Sequence, residues 1–322
     1  MRLRRHIFFV LAAVLLPCAY AAESAPIVVP LDYAGRHLYI TVIDEHLGPL
    51  TLMLDTGFQR TTLAAPVAAK GEVHNHFWER SLSYNGFGAG KAKRRYQTID
   101  VALRSGSVAL FSGSALVTDI GDFGHRVGHP LDGFLGWDFF RQWCATIDYA
   151  PARLTLRDRS QCRAGSGPYA TLHAQWTPQG LLVPSKLTFV NGRTATALLH
   201  FDTGSDITLL LNMQFRTAAG LDDNPTSSAQ ESHGFGVNGR YTTDLVPMAK
   251  IDLDGQMQLN PGKYAMIAIA RSGAFAKVHW WEGPSAMKIN RDGVIGNALL
   301  DRFRWTFDPE AKRVYAEPAG AK

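Results

Sequence analysis

Two aspartates stand in identical tripeptides, Asp55-Thr56-Gly57 and Asp202-Thr203-Gly204, each at the end of an apolar run. Carboxyls at matching points of two similar halves can meet at a pseudo-two-fold axis. A facing pair does not ionise comfortably together, so one proton is shared, and such a pair can activate a water for attack on an amide. One tripeptide alone carries little weight, because short motifs recur by chance. The weight comes from the surroundings, which repeat as well.

Ahead of each tripeptide lies a hairpin pattern. Residues 38–43 turn near Gly48 into 50–54, and residues 187–190 turn at Asn191-Gly192 into 197–201. Asn-Gly predicts a tight type I′ turn, since both central residues of that turn need positive φ. Gly86-Phe87-Gly88-Ala89-Gly90 begins 31 residues after Asp55, and Gly234-Phe235-Gly236-Val237-Asn238-Gly239 begins 32 after Asp202. Asp132-Gly133-Phe134-Leu135-Gly136 is echoed by Asp292-Gly293-Val294-Ile295-Gly296. Asp148 and Arg153 follow Gly136 by 12 and 17 residues, as Asp308 and Arg313 follow Gly296. Order and spacing together indicate an internal duplication.

These residues resemble the two-lobed aspartic peptidases, built from two retropepsin-like halves fused in one chain as in the pepsin family. The likeness covers nearly all of the chain beyond its first 22 residues. It implies an all-β, bilobed acid-protease fold: two barrel-like lobes, a cleft between them and a few short helices. It implies Asp55 and Asp202 as the catalytic pair. Thr56 and Thr203 would hydrogen-bond across to the opposite loop, and Gly57 and Gly204 would turn sharply and offer their N–H groups to the carboxylates. Gly136 and Gly296 would pass so close to the catalytic loops that a Cβ would collide. Gly86, Phe87 and Gly88 in one half, and Gly234, Phe235 and Gly236 in the other, would form flap-like tips over the cleft, with Tyr84 a candidate aromatic flap residue. The sequence departs from the family pattern at Phe58 and Asp206, where a small residue is usual after the first glycine and a third carboxylate joins the second loop. His200, two before Asp202, shares its strand face and reads as a plain strand residue, with a buried or interlobe histidine that tunes the pH range as the other reading.

The first 22 residues do not read as part of this fold. Arg2, Arg4 and Arg5 precede an apolar stretch, and Ala19-Tyr20-Ala21 supplies a small-x-small site, the layout of a secretory signal peptide. A periplasmic or secreted protein is expected. Without those three arginines the basic residues nearly balance the 28 Asp and Glu, so the sequence offers no basic footprint for nucleic acid. No later apolar run is long enough to span a bilayer. Cys144 and Cys162 flank a hairpin at the end of the first half. A disulfide between them is one reading in an oxidising compartment, two free thiols the other.

Short segments alternating at period two, punctuated by glycine and proline, predict an all-β chain with lobes at 23–160 and 176–322 joined by a linker at 161–175. Helices are predicted at 63–70, 137–143 and 297–303. Gly234-x-Gly236-x-x-Gly239 matches a dinucleotide fingerprint, but residues 240–246 read as a strand where a helix would be required. His74 and His76 lack further ligands at suitable spacing, and His279-Trp280-Trp281 reads as packing before it reads as a subsite.

The resulting expectation is an aspartic endopeptidase using no metal or cofactor, acting as a monomer on peptide or protein substrates. It would have no nucleic-acid partner and no stable membrane insertion once its leader is removed. The competing reading is a catalytically silent peptide- or protein-binding module that keeps the two-lobed cleft.

Overall fold

The computed structural model describes residues 24–76, 96–121, 123–165, 170–221, 230–236, 239–260, 266–270 and 291–319. The expected leader, the tip residues Tyr84, Gly86, Phe87 and Gly88, and His279-Trp280-Trp281 lie outside them.

Two sheets share one order of eight strands, and the second adds a ninth, Met257–Leu259, paired with Gly239–Leu253. In the first half the order is Asp32–Ala34, His37–Asp44, Gly48–Leu54, Gly133–Leu135, Thr62–Ala64, Val108–Thr118, Tyr96–Ser105, His74–His76. In the second it is Gln175–Thr177, Gly180–Phe189, Thr194–Phe201, Gly293–Ile295, Leu209–Leu211, Met266–Ala270, Gly239–Leu253, Gln230–Gly236. Each curls back on itself through one further pairing, Ile43 with Arg104 and Ser185–Phe189 with the long strand Gly239–Leu253. The sheets close because their apolar faces must be covered. Leu38, Ile40, Leu52 and Leu103 fill one interior, and Leu181, Val183, Leu199 and Ile251 fill the other.

A third, six-stranded antiparallel sheet ties the lobes together, drawing three strands from each half. Its central pair is Cys144–Asp148 with Phe303–Asp308, where the hydroxyls of Thr146 and Thr306 meet at 2.8 Å. Trp137, Trp305 and Phe307 are fully buried in this region. Cutting Trp305 back to Ala would cost about 3–5 kcal/mol. Cys144 and Cys162 are joined in a disulfide beside the same sheet.

Three expectations need correction. The stretch 161–175 is more than a connector: Ala170–Leu172 pairs with Arg313–Pro318, the place Ile27–Pro30 takes beside Arg153–Arg157 in the first half. The second unit therefore starts at its own copy of the first strand. The three expected helices are single turns, Ala65–Ala68, Trp137–Phe140 and Asn297–Leu300: the strand Thr62–Ala64 takes the start of the first, and the other two end in turns just ahead of the strands Cys144–Asp148 and Phe303–Asp308. At Asn191-Gly192 only the glycine has positive φ, 81°. Phe189 N–H donates to Arg193 O at 2.9 Å, so the loop is one residue longer than the two-residue turn, with Gly192 in the left-handed position. The segment 240–246 is strand, as read, within Gly239–Leu253.

Candidate active site

Each Asp-Thr-Gly loop leaves the end of an apolar strand, Asp55 after Gly48–Leu54 and Asp202 after Thr194–Phe201. Both strands run parallel to the short strand ahead of Gly136 or Gly296, with Leu54 beside Leu135 and Phe201 beside Ile295. The Asp55 amide donates to Leu135 O and the Asp202 amide to Ile295 O, both at 3.0 Å. Each acid is thereby delivered to the same depth of its lobe, and each is 4% exposed.

Gly57 N–H donates to Asp55 Oδ1 and Gly204 N–H to Asp202 Oδ1, both at 2.9 Å. Neither glycine occupies the left-handed region; each is required by lack of space. A Cβ on Gly57 would lie 2.4 Å from Asp202 Cγ, and one on Gly204 would lie 2.2 Å from Asp55 Cγ. Each glycine backs onto the opposite carboxyl, and the two carboxyls come within hydrogen-bonding reach of each other.

The threonines lock this arrangement. Thr56 N–H donates to Thr203 Oγ1 and Thr203 N–H to Thr56 Oγ1, both at 3.1 Å. Thr56 Oγ1 donates to Phe201 O at 2.7 Å, and Thr203 Oγ1 to Leu54 O at 2.9 Å. Four buried bonds thus relate the loops by a two-fold operation. Beneath them, a Cβ on Gly136 would sit 2.4 Å from Arg60 C, and one on Gly296 would sit 2.6 Å from Ile207 O. Trp137 N–H donates to Phe58 O and Asn297 N–H to Ser205 O, both at 2.7 Å.

No protein-family model and no curated protein matches the chain in sequence. Among solved structures it is similar to an aspartic proteinase from Irpex lacteus, at 15% identity and a TM-score of 0.54, over 92% of this chain and 98% of that one. The fold is that of the bilobed acid proteases.

In this acid-protease scaffold a cavity of about 370 Å³ opens over the two aspartates. Its first-lobe wall is aromatic. Phe58 stacks on Phe134 with centroids 4.3 Å apart, and Phe123 stands 6.0 Å from Phe134. Phe58 is therefore accommodated as wall, while its N–H donates to Asp55 Oδ1 at 3.0 Å. The second-lobe wall is the hairpin of Gln230–Gly236 with Gly239–Leu253, in which Gly234 pairs opposite Tyr241. A Cβ on Gly234 would lie 2.0 Å from the Tyr241 ring, so glycine there lets the ring lie across its own hairpin towards the cavity. Phe235 lies under the Arg126 guanidinium, 3.7 Å from the ring centroid, a contact between the two lobes. Gly236 also lines the cavity.

Burial, then the charge of Asp202, pushes the Asp55 carboxyl well above the usual carboxylate range. Asp202 is also raised by burial, but the Gly204 N–H and the Arg291 cation pull it back, while Asp206 pushes up. Tyr241 is pushed up to about 12, chiefly by burial and then by Asp206 and Asp202. Asp206 is exposed at the cavity, and its charge opposes the burial that lowers His37.

Of the two readings of His200, the structure fits the buried histidine. It is 2% exposed, and its Nδ1 accepts a hydrogen bond from Arg291 Nη1. Burial, then the Arg291 charge, lowers His200 well below the usual histidine range, so the ring is neutral. Sequence reasoning did not single out Arg291, Tyr241, Arg126 or Phe123. For Arg291 a signal existed: it immediately precedes Asp292, where the first half has Leu131 before Asp132.

Proposed function

We propose that the chain is an aspartic-type endopeptidase, and that Asp55 and Asp202 act together on one water. The carrying observation is reciprocal: each tripeptide glycine leaves space for the other lobe's carboxyl. A binding groove would need neither acid.

One carboxyl is ionised and the other protonated in the resting pair. The carboxylate takes a proton from the bound water as its oxygen adds to the scissile carbonyl carbon. The protonated partner gives its proton to the carbonyl oxygen, leaving a neutral gem-diol. Collapse breaks the C–N bond: the proton taken from water passes to the leaving nitrogen, and a diol hydroxyl returns a proton to the second carboxyl. The sum is one water consumed and one carboxylic acid and one amine released. The aromatic wall at Phe58, Phe123 and Phe134 suits an apolar side chain of the substrate. The leader-like N-terminus and the Cys144–Cys162 bond support a periplasmic or secreted setting.

The test is incubation of the purified protein with an unfolded protein between pH 3 and 7, with and without a statine-type transition-state mimic. Cleavage favouring acid to mildly acid pH, blocked by the mimic, is expected. Absence of cleavage across the range would overturn the reading.

A further inference from the structure

The two acids are held alike from above and unlike from below. Counting back two residues from each along its strand gives Met53 in the first lobe and His200 in the second. The residue before each Asp-Gly pair is Leu131 in the first lobe and Arg291 in the second. The duplication thus places two apolar side chains in one half where the other half carries an imidazole and a guanidinium. Arg291 reaches the cavity that holds Asp202 and donates from Nη1 to His200 Nδ1. An arginine can only donate, so His200 accepts at Nδ1 and carries its proton on Nε2. A neutral ring in that tautomer steers the guanidinium without cancelling its charge.

We infer that Arg291, steered by His200, is a positioning residue that makes Asp202 the ionised member of the dyad and leaves the shared proton on Asp55. This rests on the hydrolase reading above and assigns roles within it: Asp202 takes the proton from water, and Asp55 protonates the carbonyl oxygen. The other groups around the pair are accounted for. Asp206, on the same loop, opposes the assignment by raising Asp202, and Asp55 accepts one more backbone N–H than Asp202 does, from Phe58. Tyr241 and Tyr149 are raised and stay neutral near the pair, and His37 faces Asp206 from the strand His37–Asp44. Arg126 and His233 lie at the cavity margin on the hairpin side. A full positive charge in a part-buried position outweighs one extra amide dipole. Arg291 itself is lowered by burial only to about 10, with Asp202 holding it up, so it stays charged across the working range.

The test replaces Arg291 by Met, which fits a buried site without charge, and by Lys, which keeps the charge. With the cation gone Asp202 holds its proton more tightly, so the acid limb of the kcat/KM profile should move to higher pH by about one unit in R291M. R291K should stay near the parent profile. A uniform loss at every pH, or superimposed profiles, would overturn the inference. A second readout needs no substrate: ¹³C carboxyl titration of the full-length protein, assigned with D55N and D202N. In the parent protein Asp202 should ionise first and Asp55 at higher pH, and the gap should shrink or reverse in R291M. Asp55 ionising first in the parent would overturn the inference. A parent protein that cuts nothing yet titrates in the expected order would instead remove the peptidase reading alone.

Discussion

The first Asp-Thr-Gly loop reaches its aspartate through Leu54 and leaves it through Gly57 and Phe58; the second does the same through Phe201, Gly204 and Ser205. The bonds that set backbone position correspond one for one across the axis: the strand amides to Leu135 and Ile295, the crossed threonines, and the amides of Trp137 and Asn297. The groups that set charge do not correspond. Met53 and Leu131 lie on one side, His200 and Arg291 on the other. Symmetry therefore belongs to the backbone that brings the acids together, and asymmetry to the side chains that set the charge around them.

The sharpest way to break this comparison is to remove each acid in turn. D55N and D202N should each lose at least about 10³-fold in kcat/KM, because each supplies one half of a concerted proton exchange. Stability should respond in the opposite sense. Asp55 has a folded pKa raised by burial and by Asp202, so the stability it contributes is full below its unfolded value and is lost as pH rises through the folded one. D55N should accordingly melt higher than the parent near pH 7, with the difference closing towards pH 4 in a calorimetric series. A parent protein whose stability keeps rising through that interval relative to D55N would refute the raised pKa.

A second asymmetry tests structure alone. Cys144 is bonded to Cys162, whereas the position equivalent to Cys144 in the second half is Arg304, paired with Glu317. Replacing both cysteines by Ala should cost roughly 3 kcal/mol by denaturant titration, the amount expected for a loop of this size. The parent should lose a similar amount on reduction, and C144A/C162A should be indifferent to reductant. The smallest effects probe the symmetric part. T56V and T203V each remove one hydroxyl that both donates and accepts, so each should cost about 1–3 kcal/mol and the two costs should match. Because the four bonds form one network, the double variant should fall short of the sum, and strict additivity would show that the loops are not coupled.

What was legible in the sequence was what the backbone demands locally. Gly57, Gly204, Gly136 and Gly296 are required by contacts too close for any Cβ, and such requirements leave the same residue at the same spacing in both halves. The alternating strands were readable for a similar reason, since one face of each meets a core. Of the charge arrangement, only the break in the repeat at Arg291 was readable, not what it meets. Arg291 meets His200 across 91 residues of chain, and Arg126 meets Phe235 across the cleft, pairings that exist only once the lobes are folded and docked. Tyr241 depended on register: only the pairing of Gly234 with Tyr241 shows why a glycine sits opposite an aromatic. Ala170–Leu172 was hidden because three residues beside a Gly- and Ser-rich stretch carry too little periodicity to announce a strand.

The contact between Thr146 and Thr306 joins equivalent positions of the two halves. A seam of that kind is self-complementary, so one half on its own would offer the right face to a second copy of itself. An assembly of two identical chains, however, must carry the same residue on both sides of its axis. Joining the halves in a single polypeptide makes their meeting independent of concentration and releases each to accumulate its own substitutions. A histidine and an arginine at two positions of one half, where the other half has methionine and leucine, is a difference that only a fused pair can encode.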